Sequence, residues 1–231
     1  MERIKIFIGY DPVESIAFHT LVQSIVEKAT VYFEIIPLNI RNLPVYTRKR
    51  DPKQSNEFSF TRFLVPYLSS YRGVSIYFDC DMMLRVDIAE ILQEVEDKPV
   101  YVVKHDYVPK DEYKYLGTKQ YKYPRKNWSS VVVWNCSHPS NKIITPDFVN
   151  TADSSKLHQF KFLEDDEIGE LDIRWNWLVG EYGAPPIGVK NVHWTLGGPY
   201  LNDYKNVDFA EEWTTVLKNV INIHYGNNYD I

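Results

Sequence analysis

A short apolar strand that runs straight into two carboxylates constrains this chain more than any other feature. Val74-Ser75-Ile76-Tyr77-Phe78 has a strand composition, and Asp79-Cys80-Asp81 follows at once. Around it the apolar segments alternate in kind. Ile4 to Gly9 reads as a first strand, turned at Gly9-Tyr10-Asp11-Pro12. Asp11 suits the N-cap and Pro12 the first turn of a helix that continues to about Lys28. Val31 to Leu38 reads as a second strand, and Phe58 to Ser69 as a helix that Pro66 must bend or shorten. Ile88 to Val95 is a further predicted helix, Val100 to Val103 and Val131 to Trp134 are predicted strands, and a last helix is expected from Asp208 to Val220. Strand, helix, strand, helix, strand is the order of an α/β sheet. Ligands of such sheets bind beyond the carboxyl ends of the strands, which is where Asp79 and Asp81 stand.

Composition narrows the class. With 231 residues, 44% hydrophobic and 25% charged, the chain has the size and balance of one folded domain and excludes a disordered or fibrous protein. A formal charge of −5 argues against general nucleic-acid binding. The 15% aromatic content serves either a well-filled core or stacking surfaces for sugars and bases. Cys80 and Cys136 are too few for a disulfide framework and are expected as reduced thiols. The start, Met1 to Lys5, lacks the apolar stretch of a signal peptide. The longest uncharged run, Asn127 to Asn141, is too short and too polar to span a bilayer. The expectation is a cytoplasmic protein with no transmembrane segment.

Four groups of residues carry possible chemistry. Alternate residues of an extended segment point the same way, so Asp79 and Asp81 can converge on one hard divalent cation. The same spacing also serves a turn whose Asp side chains cap the backbone. His193, in Val192-His193-Trp194-Thr195-Leu196-Gly197-Gly198-Pro199, is a further ligand or a hydrogen-bonded structural histidine; the two glycines allow a diphosphate to approach the backbone. Glu164-Asp165-Asp166-Glu167 is either a solvated face or a source of a base, nucleophile or sugar contact. Arg62, among Phe58, Phe60 and Phe63, is a surface residue or a guanidinium held for phosphate or sugar oxygens. Between them lies a Tyr/Lys-rich segment, Tyr107 to Lys126, whose residues 110–126 carry six Lys/Arg against Asp111 and Glu112. It reads as a long inserted loop, a candidate acceptor site and lid. His105, just before it, is expected to be structural, and His19, His138, His158 and His224 carry no signal.

Taken in order, these motifs resemble the glycosyltransferases of family 8 and their close relatives. The resemblance spans about residues 4–200. It rests on Gly9-Tyr10-Asp11 at the first strand end, Phe60-Thr61-Arg62-Phe63-Leu64-Val65-Pro66, Ile76-Tyr77-Phe78-Asp79-Cys80-Asp81, Lys126 through Asn135, Asp165-Asp166-Glu167-Ile168, and His193 through Gly198. It implies an α/β GT-A fold, a Rossmann-like mixed central sheet flanked by helices. Residues 1–231 would form one domain, 1–104 as the nucleotide-binding half and 105–231 as the sugar and acceptor half.

It also implies roles. Asp79, Asp81 and His193 would hold Mn²⁺ or Mg²⁺ against the diphosphate of a nucleoside-diphosphate sugar, with Asp79 alternatively on the ribose. Phe7, Ile8, Gly9, Tyr10 and Asp11 would line the nucleoside pocket, with Cys80 beside it. Arg62 would touch donor sugar or phosphate, and Gly197 and Gly198 would lie against the diphosphate. Asp165 would bind donor hydroxyls and Asp166 would lie near the anomeric carbon. The implied activity is transfer of a hexose, usually from a UDP-sugar, to a carbohydrate or other hydroxyl acceptor, with retention. Oligomeric state stays open. The chain departs from the family where Trp128-Ser129-Ser130 replaces Asn-Ala-Gly, where Asp166 replaces an amide, and where Pro199-Tyr200-Leu201 follows the glycines in place of a prompt lysine. Two other readings are a sugar nucleotidyltransferase and a carbohydrate- or nucleotide-binding module. The first expects a basic glycine-rich loop after the first strand, which Gly9 to Glu14 is not. The second has no need of Asp79, Asp81 and His193 together.

Overall fold

A computed structural model describes residues 3–51, 54 and 56–221; His224 lies outside them. The strands are β1 (Ile4–Gly9), β2 (Phe33–Leu38), β3 (Val74–Phe78), β4 (Met82–Leu84), β5 (Val100–Val102), β6 (Tyr113–Lys114), β7 (Thr118–Lys119), β8 (Val131–Asn135), β9 (Ile168–Glu170), β10 (Trp177–Leu178) and β11 (Asn191–His193). The α-helices are α1 (Ser15–Lys28), α2 (Val65–Leu68), α3 (Pro146–Thr151), α4 (Ser154–His158) and α5 (Ala210–Ile221). The central sheet has six strands in the order β2-β1-β3-β8-β5-β9. β1 runs parallel to both β2 and β3, β8 runs antiparallel to β3 and β5, and β9 runs parallel to β5. The sheet is therefore mixed, as expected. Because β8 lies between β3 and β5, the two halves of the chain share one sheet.

Period-2 alternation sorts the side chains to two faces. Ile6, Ile8, Ile76, Phe78, Val131 and Val133 pack under α1 with Phe18, Leu21 and Ile25. Phe7, Tyr77, Val132 and Trp134 face the other way, onto Phe63, Leu64, Val149, Leu157 and Phe160 from the segments carrying α2, α3 and α4. Each fully buried large apolar side chain contributes about 1.5–3 kcal/mol, so these two layers carry the fold. Pro37 is tolerated in β2 because β2 is the edge of the sheet and its neighbour lies on one side only. Cys80 and Cys136 are free and buried. No helix among the described residues is long and apolar enough to cross a membrane.

Several elements differ from expectation for local reasons. The predicted helix over 58–69 is a 3₁₀ turn, Thr61–Leu64, followed by the single turn α2. Pro66 sits in the first turn of α2, where its missing N–H costs nothing, and helix before it would lose a bond. Ile88–Glu94 is 3₁₀, with Ile88 and Ile91 stacked three apart into the core. Asp11 caps as predicted, accepting from Val13 N at 3.0 Å. The Tyr107–Lys126 segment holds a small hairpin, β6 with β7.

The functional geometry depends on a second, three-stranded sheet, β10-β11-β4. β4 follows Asp81 directly, and β11 pairs with it antiparallel so that His193 lies opposite Met82. Trp194 N donates to Asp81 O at 3.0 Å and extends the ladder by one bond. That pairing brings residue 193 to residue 81. The layer is closed by Trp177, Val192, Trp194, Trp213 and Val216 from this sheet and α5.

Candidate functional site

Asp79 leaves the end of β3 with its N–H donating to Ser130 O at 3.0 Å. The residue is 8% exposed and its carboxylate is engaged on both oxygens. Tyr77 OH donates to Oδ1 at 2.6 Å, and Arg62 Nη2 meets the same oxygen at 2.8 Å. Arg62 is itself buried, and its Nη1 donates to Ser129 O at 2.7 Å. Burial pushes the Asp79 carboxyl up and Asp81 adds to that, while the Arg62 charge works against both. Arg62 is thus neither a surface residue nor an unpaired cation. It neutralises and orients Asp79.

Asp81 and His193 are arranged differently. His193 Nδ1 lies 2.8 Å from Asn176 Oδ1. The Asn176 amide is oriented by its other end, which donates to Ser130 Oγ at 3.0 Å and Asn127 O at 3.3 Å. An amide oxygen only accepts, so Nδ1 carries the ring proton. Nε2 then faces Asp81 Oδ1 at 3.3 Å, and that buried oxygen makes no hydrogen bond. Ligand atoms of Asp79, Asp81 and His193 lie within 4.8 Å of one another. Two carboxylates and an imidazole, with the far ring nitrogen held by an amide, form a donor set that fits a hard or borderline divalent ion. The unsatisfied Asp81 oxygen is what such an ion would complete. The cluster could hold a metal.

The cluster opens into a cavity of about 420 Å³, within the usual range for small-molecule sites. Its walls come from Asp51, Gln54 and the 56–62 stretch, the inserted segment with Asn127, α4 with Gln159, and Thr195 beyond β11. His158, which carried no signal in the sequence, lines it. Its Nδ1 lies 2.9 Å from Ser129 Oγ, and its ring packs on Phe60 and Phe63. Burial, with the Arg62 and Arg48 charges, pushes His158 down to about 3, so it is neutral. Gln159 stands beside it.

The structure brings together Arg62, Asp79, Asp81 and His193 among the expected site residues, and leaves the others outside the cavity lining. Asp165 and Asp166 are exposed on a 3₁₀ turn, Asp165–Glu167, before the edge strand β9, and Asp165 pairs with Arg125. Phe7 and Ile8 are core residues on opposite faces of β1. The Phe58 ring covers Gly9 so closely that a Cβ there would collide with it. Tyr10 packs edge-on against Phe18, and Asp11 is spent on Val13 N and Glu57 N. Cys80 is wholly buried, pointing away from its two neighbours into the α1 layer. Gly197 has φ +146°, and a Cβ there would meet Tyr204 at 2.6 Å; the same space beside Gly198 is taken by Tyr200. What the two glycines admit closely is therefore a pair of tyrosine rings.

Sequence reasoning missed Asn176, Glu14, His158 and the lysines of the inserted segment. Glu14 is 2% exposed and accepts from Tyr200 OH at 2.6 Å and Tyr115 OH at 3.1 Å. Burial, then the Asp81 charge, pushes its carboxyl up to about 7. Nothing local marks it, since an acidic residue in a first helical turn is ordinary. Asn176 sits in Trp175-Asn176-Trp177, and a polar residue enclosed by two tryptophans was the available signal.

Over 222 residues the chain is 42% identical to Protein CDI of Arabidopsis thaliana, covering 93% of this chain and 86% of that protein. This chain belongs to the CDI family. No family model matches it. Among solved structures it resembles the glycosyltransferase GlyE of Streptococcus pneumoniae TIGR4, with a TM-score of 0.63 at 12% identity over 94% of this chain and 60% of that one. It resembles the galactosyltransferase LgtC with a TM-score of 0.61 at 11% identity, over 95% and 97%. For the bifunctional glycosyltransferase WbbM the values are 0.60 and 15%, and the chain spans half of that protein's length. At these identities the likeness carries the architecture, which is the GT-A fold.

Proposed function

We propose that this CDI-family chain is a metal-dependent glycosyltransferase of family 8 type. It would move a hexose from a nucleoside-diphosphate sugar, with uridine as the base, to a carbohydrate or other hydroxyl acceptor, with retention. The observation that carries the reading is the Asp79-Asp81-His193 cluster at the floor of a cavity on a GT-A fold. A bound Mn²⁺ or Mg²⁺ would offset the charge that the leaving diphosphate gains. The chain's own residues do the rest. Arg62 and Tyr77 hold Asp79 in one orientation, and Asn176 holds the His193 ring so that Nε2 faces the cavity. Neutral His158, Gln159 and Ser155 offer hydrogen bonds to sugar hydroxyls within the same walls, in place of Asp165 and Asp166. The inserted segment roofs the site and would receive the acceptor. Residues 1–104 would then serve mainly the nucleotide and 105–231 the sugar and acceptor, in one domain. The two free thiols suit the reducing cytoplasm.

The test is release of nucleoside diphosphate from a panel of UDP- and GDP-sugars with Mn²⁺, with and without EDTA. Release from one donor that stops on chelation and in Asp81→Asn supports the proposal. Release that survives both overturns it. Nucleotide binding with no turnover of any donor, across a panel of sugar acceptors, supports the binding-module reading. The anomeric configuration of the product, read by NMR, tests retention.

A further inference from the structure

The cavity faces its acidic floor with cations that the roof supplies. Lys114, Lys119 and Lys126 line it from the inserted segment, and Arg62 lines it from below. Arg62 is committed to Asp79, and Lys119 pairs with Glu112 at 3.0 Å. Lys114 and Lys126 make no ion pair among the described residues. Lys126 Nζ has a long contact to Tyr121 O at 3.4 Å and lies over the Tyr123 ring at 5.1 Å, and Lys114 Nζ lies over the Tyr115 ring at 5.3 Å. Burial, then the neighbouring Lys114 charge, pulls Lys126 down to about 8. Two half-buried cations face the acidic floor across one cavity with no salt-bridge partner of their own; Lys114 feels the charges of Asp81 and Glu14 and Lys126 that of Glu181, and an anion of more than one charge bound with a cation at that floor would meet both lysines.

The backbone holds these lysines in place. Lys126 stands between Arg125 at φ 58° and Asn127 at φ 62°. Left-handed backbone at two non-glycine residues costs about 1 kcal/mol or more each and persists only where the surroundings impose it. Here Arg125 Nη1 donates to Gln159 O at 2.7 Å, and Asn127 Nδ2 donates to Tyr107 OH at 2.8 Å. Lys114 is fixed by its neighbour Tyr115, whose N–H donates to Leu196 O at 2.9 Å and whose hydroxyl donates to Glu14. The Gly197 and Gly198 faces are filled by tyrosines, and Lys205 is exposed and outside the cavity lining.

We infer that Lys114 and Lys126, from the inserted segment, are the cationic contacts of the diphosphate, so that the roof of the site binds the donor as well as covering it. The identity of that diphosphate as part of a nucleotide sugar rests on the function proposed above; the anion site itself does not.

The experiment is calorimetric titration of UDP, GDP, uridine and inorganic pyrophosphate, each with Mn²⁺, into the full chain. The variants are Lys114→Gln, Lys126→Gln, the charge-keeping Lys126→Arg, and Lys122→Gln as an exposed control outside the cavity. The expected result is a loss of about tenfold or more in diphosphate affinity for each cavity lysine. Lys126→Arg should retain most of the affinity, Lys122→Gln all of it, and uridine should respond to none. Unchanged diphosphate affinity in folded Lys114→Gln and Lys126→Gln overturns the inference. If the wild type binds pyrophosphate with this lysine dependence but neither nucleotide, the anion site stands and the nucleotide-sugar reading falls. If the wild type binds no diphosphate, both fall. Circular dichroism of every variant separates loss of binding from loss of fold.

Discussion

Two pairs of carboxylates stand next to strands of the same sheet and have opposite fates. Asp79 and Asp81 follow β3 and are buried, one gripped by Arg62 and Tyr77, the other facing His193. Asp165 and Asp166 precede β9 and are exposed, with Arg125 beside Asp165. Both pairs read as site candidates in the sequence. β3 is central, with β1 and β8 on either side, and its carboxyl end opens under the inserted segment. β9 is an edge strand, and a turn at its start faces water. Position in the sheet, more than residue type, separates a possible ligand set from a solvated face.

The contrast can be broken by substitution, and the largest effect expected is on turnover. Asp81→Asn should lower metal-dependent donor turnover by more than about 100-fold, beyond what removing a partner behind a metal ligand costs. Asp165→Asn and Asp166→Asn should change it by no more than a few fold. Comparable losses at both sites, measured with the same donor, would return Asp165 and Asp166 to the catalytic set.

Next is stability. Arg62→Met leaves Asp79 buried without its counter-charge and should cost about 3–5 kcal/mol. Asp165→Asn removes the exposed partner of Arg125 and should cost at most about 1 kcal/mol. Urea unfolding of both variants in EDTA checks the difference, and equal costs would sink the claim that burial distinguishes the two pairs.

Glu14 extends the buried region's electrostatics. Its carboxyl is raised to about 7 from an ordinary 4.5, so the fold holds this proton more tightly than the unfolded chain does. Its contribution to stability is full below about pH 4.5, declines as pH rises, and is gone above about pH 7, a change on the order of 3 kcal/mol. Glu14→Gln should flatten that decline between about pH 5 and pH 8 in metal-free unfolding experiments. A decline as steep as the wild type's would assign it to other groups.

The smallest effect sharpens the picture of His193. Asn176→Leu removes the acceptor that orients the ring, and Mn²⁺ affinity should fall by about 10- to 100-fold. Asn176→Asp, which keeps an acceptor, should recover much of it. A Mn²⁺ titration in which Asn176→Leu matches the wild type would mean that packing alone orients the ring.

Much of the fold was legible because it is written in local pattern. Unbroken apolar runs over residues 6–8, 76–78 and 131–134 suit strands whose two faces are both covered, and Asp11-Pro12 supplies a helix start. The short elements were less legible. β4, β9, β10 and β11 are two or three residues long and exist because a partner strand satisfies their backbone. The helix expected over 58–69 broke up because Pro66 outweighed the apolar content around it. At the site, Asp79 and Asp81 were visible from strand-end position, and His193 from its place between Val192 and the Gly197-Gly198 pair. Lys114 and Lys126 were visible only as part of a Tyr/Lys-rich segment read as an acceptor site and lid, and His158 carried no signal.

By itself, then, the sequence determined an α/β sheet with two carboxylates at the carboxyl end of one strand, spaced to share a ligand. Such features depend on neighbours a few residues away. The tertiary structure decided which carboxylates are buried, that His193 meets Asp81 through the β4–β11 pairing, that Arg62 is spent on Asp79, and that two lysines of the inserted segment face the cavity. These depend on strands and loops that meet across as much as half the chain, and no local pattern encodes which distant backbone will satisfy which edge.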